Sequence, residues 1–510
     1  MNFLLAFTPI AIILILMVGF RWGASRAGAA GYLSALVVAV FAFGSGAQLL
    51  AVAHGKALLL ILDVLMIIWA AFLLFRVADE AGAIKIIGAA LPHLTADRGM
   101  QALIIGWVFA SFLQGVGGFG VPVAVIAPIM VGLGFAPLSA VVIPSVGHSW
   151  AVTFGSLGSS FNAMMAATGL DYTALAGESA IFLGIAGLGV GFLVAHAAGG
   201  MQSVRRLAIP VLILGVFMGA GQYFAATAGL WNIGAFLGSL AGLLVAWPLA
   251  RRYRGKQENN GKLDARQVGI ALSGYAVLIA ITLGIQLIPS VRSTLGQVRL
   301  HLDFGAVSTS LGFTTPAEGG RDIPLFRHAG MILLYASAAS YFIYKKAGWY
   351  SDGAVMTIVG GTVQKVMSSS VGIASMVAMA VVMQHAGMTE TLANGLAEGV
   401  GSAFPAVSPW IGALGAFMTG SNTNSNVVFA ALQMRTAELL GLSVALILAA
   451  QTSGGALGSV IAPTKIVVGA STGGMAGREG EIMRKMLAYT GLLIGLMSVL
   501  AIIGVALRRI

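Results

Sequence analysis

The chain has 510 residues, of which 58% are hydrophobic and only 9% carry a charge. Soluble globular proteins carry about 25% charged residues, so this composition excludes a water-soluble domain and indicates an integral membrane protein. The net charge of +11 is attributed to basic cytoplasmic loops rather than to nucleic-acid binding. The absence of cysteine excludes disulfides, thiolate catalysis and cysteine-ligated metals.

Apolar runs of about 20 residues predict transmembrane helices. Ten intact spans are predicted, at residues 3–20, 28–49, 57–75, 178–198, 207–227, 231–249, 268–290, 328–346, 369–386 and 488–507. Two further spans, 137–160 and 441–463, contain polar, glycine-containing breaks. The stretches 103–135 and 407–436 are each split by a polar tip into halves that we expect to be too short to cross alone.

The distribution of basic residues predicts the orientation. The segment 251–266 contains six Lys and Arg residues, so it is placed in the cytoplasm. The remaining basic clusters then also face the cytoplasm, except for an outer loop at 291–327 and the C-terminal arginines. This arrangement requires 103–135 and 407–436 to be re-entrant hairpins, and it gives 12 crossings with both termini outside.

The two halves of the chain resemble each other. FLQG at 112–115 followed by GLGFAPLSAVVIP parallels FMTG at 417–420 followed by LLGLSVALILAA. Each half runs from an intact helix through an interfacial segment, a hairpin and a broken helix to a second intact helix. Because the hairpins enter from opposite sides, the repeats are predicted to be inverted, as in secondary transporters. Chance similarity between glycine-rich apolar stretches is the alternative.

These features predict an all-α integral membrane protein with one transmembrane transporter domain. Its parts are peripheral helices at 1–56, a first inverted repeat at 57–200, connecting helices at 201–350 with a cytoplasmic loop at 250–267, and a second inverted repeat at 351–510.

The glycine cluster GVGGFG, residues 115–120, matches the pattern of a dinucleotide-binding turn. That interpretation needs a preceding strand, whereas here Pro122 and Pro128 follow and no strand-like segment precedes. Non-helical backbone is tolerated at membrane depth where it is buried in protein or lines a wet cavity. We therefore expect residues 114–120 to form a hairpin tip that meets a second tip at 420–426 around a solute.

Four polar patches interrupt the apolar surroundings. They consist of Gln114 with Gly115, Gly117 and Gly118; Ser145, His148, Ser149 and Thr153; Ser421, Asn422, Thr423, Asn424, Ser425 and Asn426; and Thr452, Ser453 and Gly454. Helix N-termini with neutral donors suit small carboxylates, so these residues are predicted to bind substrate. Hydrogen bonding between packed helices is the alternative, above all for Ser145 or Thr153.

Ionisable residues within predicted spans are functional candidates. Asp63 and His148 are candidates for proton coupling, although Asp63 could instead pair with an arginine and His148 could be a packing histidine. Lys465 could attract anions or serve as a cytoplasmic anchor. His196 and His328 stand near span ends and are expected at the interface.

At these motifs the sequence resembles the L-lactate permease family. The resemblance rests on QGVGGFGVPVAV, on TGSNTNSNVVFAALQ and on SGGALGSVIAPTKIVVGAS. It implies a bacterial inner-membrane permease for L-lactate, D-lactate or glycolate that works by proton symport. It also implies a fold like that of the ion-transporter superfamily, in which hairpin tips and broken helices hold the substrate. By position this implicates residues 114–120, 420–426 and 452–455.

The chain departs from the family pattern at two places. Asn422 stands where the family's G-S-D-T-S-S-N stretch has an acid, and Asn424 where it has a serine. The family's I-S-P-Q-S-I corresponds here to residues 461–466, with Thr464 and Lys465 after the proline. These changes make the region more positive, so a bulkier or more anionic organic acid is an open alternative, with Asp63 or His148 as the coupling group.

The sequence therefore predicts a secondary active transporter for a small monocarboxylate, with a co-transported proton. The alternative is a sodium-coupled carrier of dicarboxylates or other organic anions. A channel would need a continuous polar pore ring, and an embedded enzyme would need a catalytic motif such as H-E-x-x-H, which the sequence lacks. No enzymatic activity, metal or cofactor is expected, and homo-oligomerisation is left open.

Overall fold

A computed structural model of the protein describes residues 2–20, 22–118, 120–253, 264–320 and 322–508. Phe119 in the predicted first tip and residues 254–263 of the predicted cytoplasmic loop lie outside this description. The described chain is nearly all helical. The helices are α1 (Asn2–Leu14), α2 (Ala24–Phe41), α3 (Ala47–Glu80), α4 (Ala83–Ala90), α5 (Arg98–Leu103), α6 (Ala110–Val116), α7 (Val121–Gly132), α8 (Pro137–Gly147), α9 (Ser159–Thr168), α10 (Tyr172–Ala225), α11 (Gly234–Arg252), α12 (Ala265–Leu287), α13 (Pro289–Leu295), α14 (Ala329–Lys346), α15 (Ala354–His385), α16 (Met388–Val400), α17 (Phe404–Thr419), α18 (Asn422–Leu439), α19 (Val444–Gly458), α20 (Pro463–Thr472) and α21 (Glu479–Arg508).

Six two-residue strands occur in the predicted outer loop between α13 and α14. They are β1 (Arg299–Leu300), β2 (Asp303–Phe304), β3 (Val307–Ser308), β4 (Thr314–Thr315), β5 (Glu318–Gly319) and β6 (Ile323–Pro324). They pair antiparallel as β1 with β6, β2 with β5 and β3 with β4. The loop thus folds back on itself as a nested hairpin. It follows the C-terminal end of α12, whereas Arg251 and Arg252 precede the N-terminal end of that helix.

Among the described residues, ten helical stretches are long and apolar enough to cross a membrane. The prediction of 12 spans divides the helices differently. The stretch Tyr172–Arg252 counts once although it holds three predicted spans, and the predicted spans at 3–20 and 328–346 are not among the ten. Arg98–Val116 and Met388–Thr419 are included instead. The chain is therefore a multi-pass membrane protein.

Helix α10 is a helical hairpin rather than one rod. Its 54 residues would extend about 80 Å at 1.5 Å per residue, far more than a hydrocarbon core of about 30 Å. The backbone leaves helical geometry at Gly199 and Gly200. The two arms touch farther along, since a Cβ on Gly184 would lie 3.6 Å from the Cα of Gly219. Two predicted spans, 178–198 and 207–227, are these arms.

The first predicted hairpin runs from Arg98 to Gly134 as a helix, a tip and a returning helix. A π-helical turn, Ile104–Phe109, joins α5 to α6, and α7 returns after the glycine tip. Arg98 and Gly134 are adjacent, because a Cβ on Gly134 would lie 2.9 Å from Nη2 of Arg98. The expectation that both halves are too short to span was wrong for the first half, which has 19 residues. Asp97 accepts a hydrogen bond from the Met100 amide, so the helix begins five residues before the apolar run suggests.

The second hairpin consists of α17 and α18 with its tip at Gly420 and Ser421. Gln433 on the returning helix donates from Nε2 to the carbonyl oxygen of Ser408 at 3.1 Å, and the Ser408 hydroxyl donates to Oε1 of Gln433. Gly420 has a φ of +70°, which favours glycine at the sharp reversal between the two helices. Buried hydrogen bonds therefore join the two helices at the end of the hairpin that lies away from its tip.

The predicted break in 137–160 is present, whereas residues 452–454 of the second predicted broken span are helical and the interruption follows them at 459–462. Helices α8 and α9 are separated by residues 148–158, where Ser156 and Leu157 have φ values of +46° and +55°. Non-glycine residues with positive φ are uncommon and mark a backbone that its surroundings hold in place. Helices α19 and α20 are separated by a 3₁₀ turn, Ser459–Ile461, and by Ala462 before Pro463.

The order of elements is the same in both halves. A long helix (α3 or α15) is followed by a short one (α4 or α16), a helical hairpin, a broken helix and a final long helix (α10 or α21). Helices α3 and α15 are longer than the predicted spans 57–75 and 369–386. Gly82, just after α3, and Gly353, just before α15, both have a left-handed backbone conformation. The C-terminus of α3 and the N-terminus of α15 are therefore set by capping rather than by hydropathy.

Candidate functional site

The tips of the two hairpins meet both helix breaks at one small pocket. Its lining combines polar residues from distant parts of the chain, namely Gln114, Ser156, Ser159, Ser160, Gly420, Ser421, Asn422, Thr423 and Lys465, together with Val152. We call this set the tip pocket. The sequence predicted that residues 114–120 and 420–426 meet, and the structure brings Gln114 together with Gly420–Thr423.

Three helices begin at the tip pocket. Ser159 and Ser160 are the first residues of α9, Asn422 and Thr423 are the first of α18, and Lys465 lies in the first turn of α20. The first amide groups of a helix lack intrahelical acceptors and carry the positive end of the helix dipole. Converging N-termini therefore make the pocket favourable for an anion. Serine and threonine hydroxyls add neutral donors.

A hydrogen-bond network ties the second tip to both broken helices. Asn422 donates from Nδ2 to Oγ1 of Thr153 at 3.1 Å and to the carbonyl oxygen of Thr452 at 3.2 Å. Asn426, one turn later on α18, donates from Nδ2 to Oγ1 of Thr452 at 2.9 Å and to the carbonyl oxygen of Ser160 at 2.9 Å. Thr153 was assigned either to substrate binding or to helix packing, and here it serves the network.

The same cluster contains oxygen acceptors that have no partner among the described residues. They are Oδ1 of Asn422, Oδ1 of Asn426 and, on the first tip, Oε1 of Gln114. An unsatisfied buried polar group costs about 1–3 kcal/mol. A ligand hydroxyl, an ordered water or a hard cation would satisfy such oxygens.

Lys465 lies at the tip pocket. Its Nζ donates a hydrogen bond of 3.1 Å to Oγ of Ser459 in the break before α20. The positive charge thus stands at the start of a helix, beside the second tip. A negatively charged ligand would compensate it there.

The tip pocket is small. It offers about 20 Å³ to the centres of water molecules, and one water needs roughly 10–15 Å³ by this measure. A molecule the size of lactate needs more room. Binding of such a molecule at this position therefore requires the pocket to widen.

Several predicted site residues are used elsewhere. The hydroxyls of Ser145, Ser149 and Ser453 donate to carbonyl oxygens three or four residues earlier in the chain. The glycines Gly115, Gly117 and Gly454 allow close packing, against Phe236, Phe75 and Pro409 respectively. The three glycines therefore fit the alternative of helix packing, whereas the three serines bond locally within their own stretch of chain.

Asn424 and Ser425 also point away from the tip pocket. Ser425 donates to the carbonyl oxygen of Gly412 at 2.7 Å within its own hairpin. Asn424 lines a different small cavity with Ile10, Ile13 and other apolar residues. On α18, residues 422, 423 and 426 share one face, whereas 424 stands about 200° around the helix from 422.

His148 is buried at the end of α8 and is not among the residues that line the tip pocket. Its Nδ1 bonds the carbonyl oxygen of Pro144 at 2.6 Å, and Nε2 has no partner among the described residues. His196 bonds the hydroxyl of Tyr489 through Nδ1 at 2.6 Å and so links α10 to α21.

Asp63 is buried and has specific partners. Nε2 of His328 lies 2.6 Å from its Oδ1, and Nδ2 of Asn162 donates to its Oδ2 at 3.2 Å. The expected arginine is replaced by a histidine, and His328, which was expected at the interface, is buried within the protein at 7% exposure. His328 precedes α14, and its Nδ1 accepts a hydrogen bond from the Gly330 amide at 3.2 Å. Its position just before an apolar helix was the signal for this capping role.

Comparison with known proteins gives consistent results. A family model described as L-lactate permease matches residues 2–508. The L-lactate permease of Bacillus subtilis (strain 168) is 29% identical over 510 residues, covering 91% of this chain and 89% of that protein. The glycolate permease GlcA of Escherichia coli (strain K12) is 27% identical over 533 residues, covering 94% and 91%. The crystal structure of the Alcanivorax borkumensis YdaH transporter aligns with 90% of this chain and 88% of its own at 14% identity, with a TM-score of 0.47.

Proposed function

The chain belongs to the L-lactate permease family, and we propose that it is a secondary active transporter that carries lactate or glycolate together with a proton. The observation that carries this proposal is the convergence of three helix N-termini and Lys465 on the tip pocket. In this account the protein is a permease of the bacterial inner membrane and not an enzyme.

The substrate carboxylate binds at the N-termini of α9 and α18, near Lys465. Ser159, Ser160, Ser421 and Thr423 supply hydroxyl donors there. The free carbonyl oxygens of Asn422 and Gln114 accept from the 2-hydroxyl group of the substrate. This division of donors and acceptors suits a small 2-hydroxy acid, which presents one anionic group and one hydroxyl group.

The proposed topology follows the positive-inside rule. Segments 103–135 and 407–436 are re-entrant hairpins of two inverted repeats, 57–200 and 351–510, and dip into the bilayer from opposite faces. The element order, which is the same in both halves, supports this arrangement. Alternating access then consists of one repeat moving against the other around the tip pocket.

Asp63 with His328 is the proposed proton-coupling pair. Because the Gly330 amide donates to Nδ1 of His328, that nitrogen is unprotonated and the ring proton sits on Nε2, facing Asp63. Forming an imidazolium would put a second proton on Nδ1 and break the cap of α14. An incoming proton therefore goes to the Asp63 carboxylate.

A short structural connection links this pair to the tip pocket. Asn162, which donates to Asp63, is on the first turn of α9 together with Ser160. Ser160 contacts Thr423 through their hydroxyl oxygens at 3.1 Å, and its carbonyl oxygen accepts from Asn426. Protonating Asp63 weakens its hydrogen bond with Asn162, because a neutral carboxyl is a poorer acceptor. The resulting movement of α9 would change the shape of the tip pocket, because the first residues of this helix line it.

The cycle moves no net charge with a monocarboxylate. One proton on Asp63 balances one bound anion, so the loaded carrier closes and opens to the other side at a lower electrostatic cost than either species alone. Without the proton, the carrier stays open to the side from which the anion entered.

Reconstitution of the purified protein into liposomes tests the function. With an inward proton gradient, we expect radiolabelled L-lactate or glycolate to accumulate above its equilibrium level, and a protonophore to abolish that accumulation. A panel with D-lactate and small dicarboxylates defines the substrate range. Absence of gradient-driven accumulation of every acid in the panel would contradict the proposal.

A sodium-coupled carrier of organic anions is the second candidate. The free side-chain carbonyl oxygens of Asn422, Asn426 and Gln114 favour it, because uncharged oxygen ligands suit hard cations. Uptake driven by a sodium gradient at equal pH on both sides would replace proton coupling with this alternative.

A further inference from the structure

A second polar pocket lies beneath the folded loop between α13 and α14. It offers about 200 Å³ to the centres of water molecules, which is enough for a small organic acid. We call it the outer pocket. Its polar lining includes Arg292, Arg327, Asn232, Asn162, Asp63, Asp322 and His328.

The two arginines of the outer pocket lack carboxylate partners. Within the described chain, no carboxylate lies in ion-pair distance of Arg292 or Arg327. The nearby Asp322 is bonded by Nη1 of Arg299 at 2.7 Å. Burial lowers the pKa of Arg327, and the charges of Arg292 and Arg299 lower it further, against a smaller opposite effect of Asp322. Such mutually repelling cations favour the presence of an anion.

Asn232 points to a ligand independently of the charges. It is 2% exposed, and neither its Oδ1 nor its Nδ2 has a hydrogen-bond partner in the described residues. It lies in the 3₁₀ turn Trp231–Ile233 and lines the outer pocket. A buried amide with both ends free is unfavourable unless something in the cavity bonds it.

The outer pocket is separate from the tip pocket, and α9 is the wall between them. Ser159 and Ser160 line the tip pocket, whereas Asn162 lines the outer one. Asp63 is part of the outer lining, but its two oxygens are engaged by His328 and Asn162. The Asp63 carboxylate therefore repels an anion held by the arginines less than a carboxylate without hydrogen-bond donors would.

We propose that the outer pocket is a second binding site for a small 2-hydroxy monocarboxylate, separate from the tip pocket. The carboxylate sits between Arg292 and Arg327, and the Asn232 amide bonds the 2-hydroxyl group. The ligand class and the assignment to the outer face rest on the function proposed above. The site holds the incoming anion next to Asp63 and His328, before α9 moves and admits it to the tip pocket.

Equilibrium binding of radiolabelled L-lactate to the purified full-length protein tests the proposal. We expect two molecules per chain in the wild type and one in the double variant Arg292→Gln with Arg327→Gln. Arg266→Gln, which removes an exposed arginine at the other end of α12, is the matched control and should keep two. One molecule in the wild type, or two in the double variant, would overturn the second site.

Two further measurements distinguish loss of the site from misfolding and identify the pocket. Trp231 lines it, so lactate should change tryptophan fluorescence in the wild type, and less so in Trp231→Phe. In proteoliposomes, the double variant should raise the half-saturation concentration for uptake about fivefold to tenfold with the maximal rate nearly unchanged, which corresponds to about 1–1.4 kcal/mol. Normal uptake with unchanged half-saturation would refute the outer site alone, whereas no uptake by the wild type would refute the proposed function.

Discussion

Asn422 and Thr153 are 269 positions apart in the sequence, and a hydrogen bond of 3.1 Å joins Nδ2 of the first to Oγ1 of the second. The bond connects the first turn of α18, at the second hairpin tip, with the break between α8 and α9. Both residues also contact Thr452 on α19. Three elements that a transporter would have to move relative to one another therefore meet at one amide group.

Replacing Asn422 by Ala tests this junction. The variant loses bonds to Thr153 and Thr452, each worth about 0.5–1.5 kcal/mol, so we expect the uptake rate of labelled lactate to fall at least about tenfold. The measurement is initial uptake in proteoliposomes at matched protein content.

Asn424→Ala is the matched control, because Asn424 is in the same motif but lines another cavity. Its uptake should stay within about twofold of the wild type, as expected when no transition-state contact is lost. Equal losses in both variants would mean that the motif supports folding and does not bind substrate through Asn422.

Asp63→Asn removes the proposed proton acceptor and keeps the shape of the side chain. We expect accumulation driven by a pH gradient to disappear, while exchange of external labelled lactate for internal unlabelled lactate persists, because exchange needs no net proton movement. Asp303→Asn, at an exposed carboxylate of the outer loop, should retain both activities. Gradient-driven accumulation by Asp63→Asn would remove Asp63 from coupling.

Lys465→Gln tests the contribution of the positive charge at the tip pocket. Losing one charge-assisted contact of about 1.5–3 kcal/mol should raise the half-saturation concentration for lactate at least about tenfold. Lys346→Gln, at the exposed end of α14, should leave it unchanged. A normal half-saturation concentration in Lys465→Gln would show that Lys465 does not contact the anion.

Gly118 should tolerate no side chain. Its φ is +58°, and a Cβ there would lie 1.8 Å from Oγ of Ser156. The left-handed conformation alone costs an alanine about 1–2 kcal/mol, so Gly118→Ala should lower the melting temperature and abolish uptake. Adding Ser156→Gly removes the clash and should recover part of the stability. A stable, active Gly118→Ala variant would contradict this tip geometry.

Much of the architecture could be predicted because it depends on local patterns. Polar, glycine-containing interruptions within long apolar runs predicted both tips and the break between α8 and α9, whereas residues 452–454 are helical and the second break lies at 459–462. The start of α5 was misplaced because hydropathy does not register the cap that Asp97 provides. Hydropathy divided the stretch Tyr172–Arg252 into three spans, and the first two correspond to the arms of α10, whereas the orientation from the charge pattern stays a prediction.

The partners of individual polar residues could not be predicted in this way. His328 and Asp63 are 265 positions apart, and no local pattern indicates that they are bonded. The six polar residues 421–426 were treated as one block, although a helix beginning at Asn422 turns Asn424 away from Asn422 and Asn426. Knowing the first residue of α18 would have separated them.

Protection of a single cysteine tests most directly whether a monocarboxylate binds between the two tips. The natural chain contains no cysteine, so Thr423→Cys introduces one reactive group at the tip pocket. We predict that lactate or glycolate slows modification of this cysteine by a small thiol reagent in a concentration-dependent way, and that a non-transported anion such as sulfate does not. Modification at the same rate with and without the acids, in a variant that still transports them, would contradict the account.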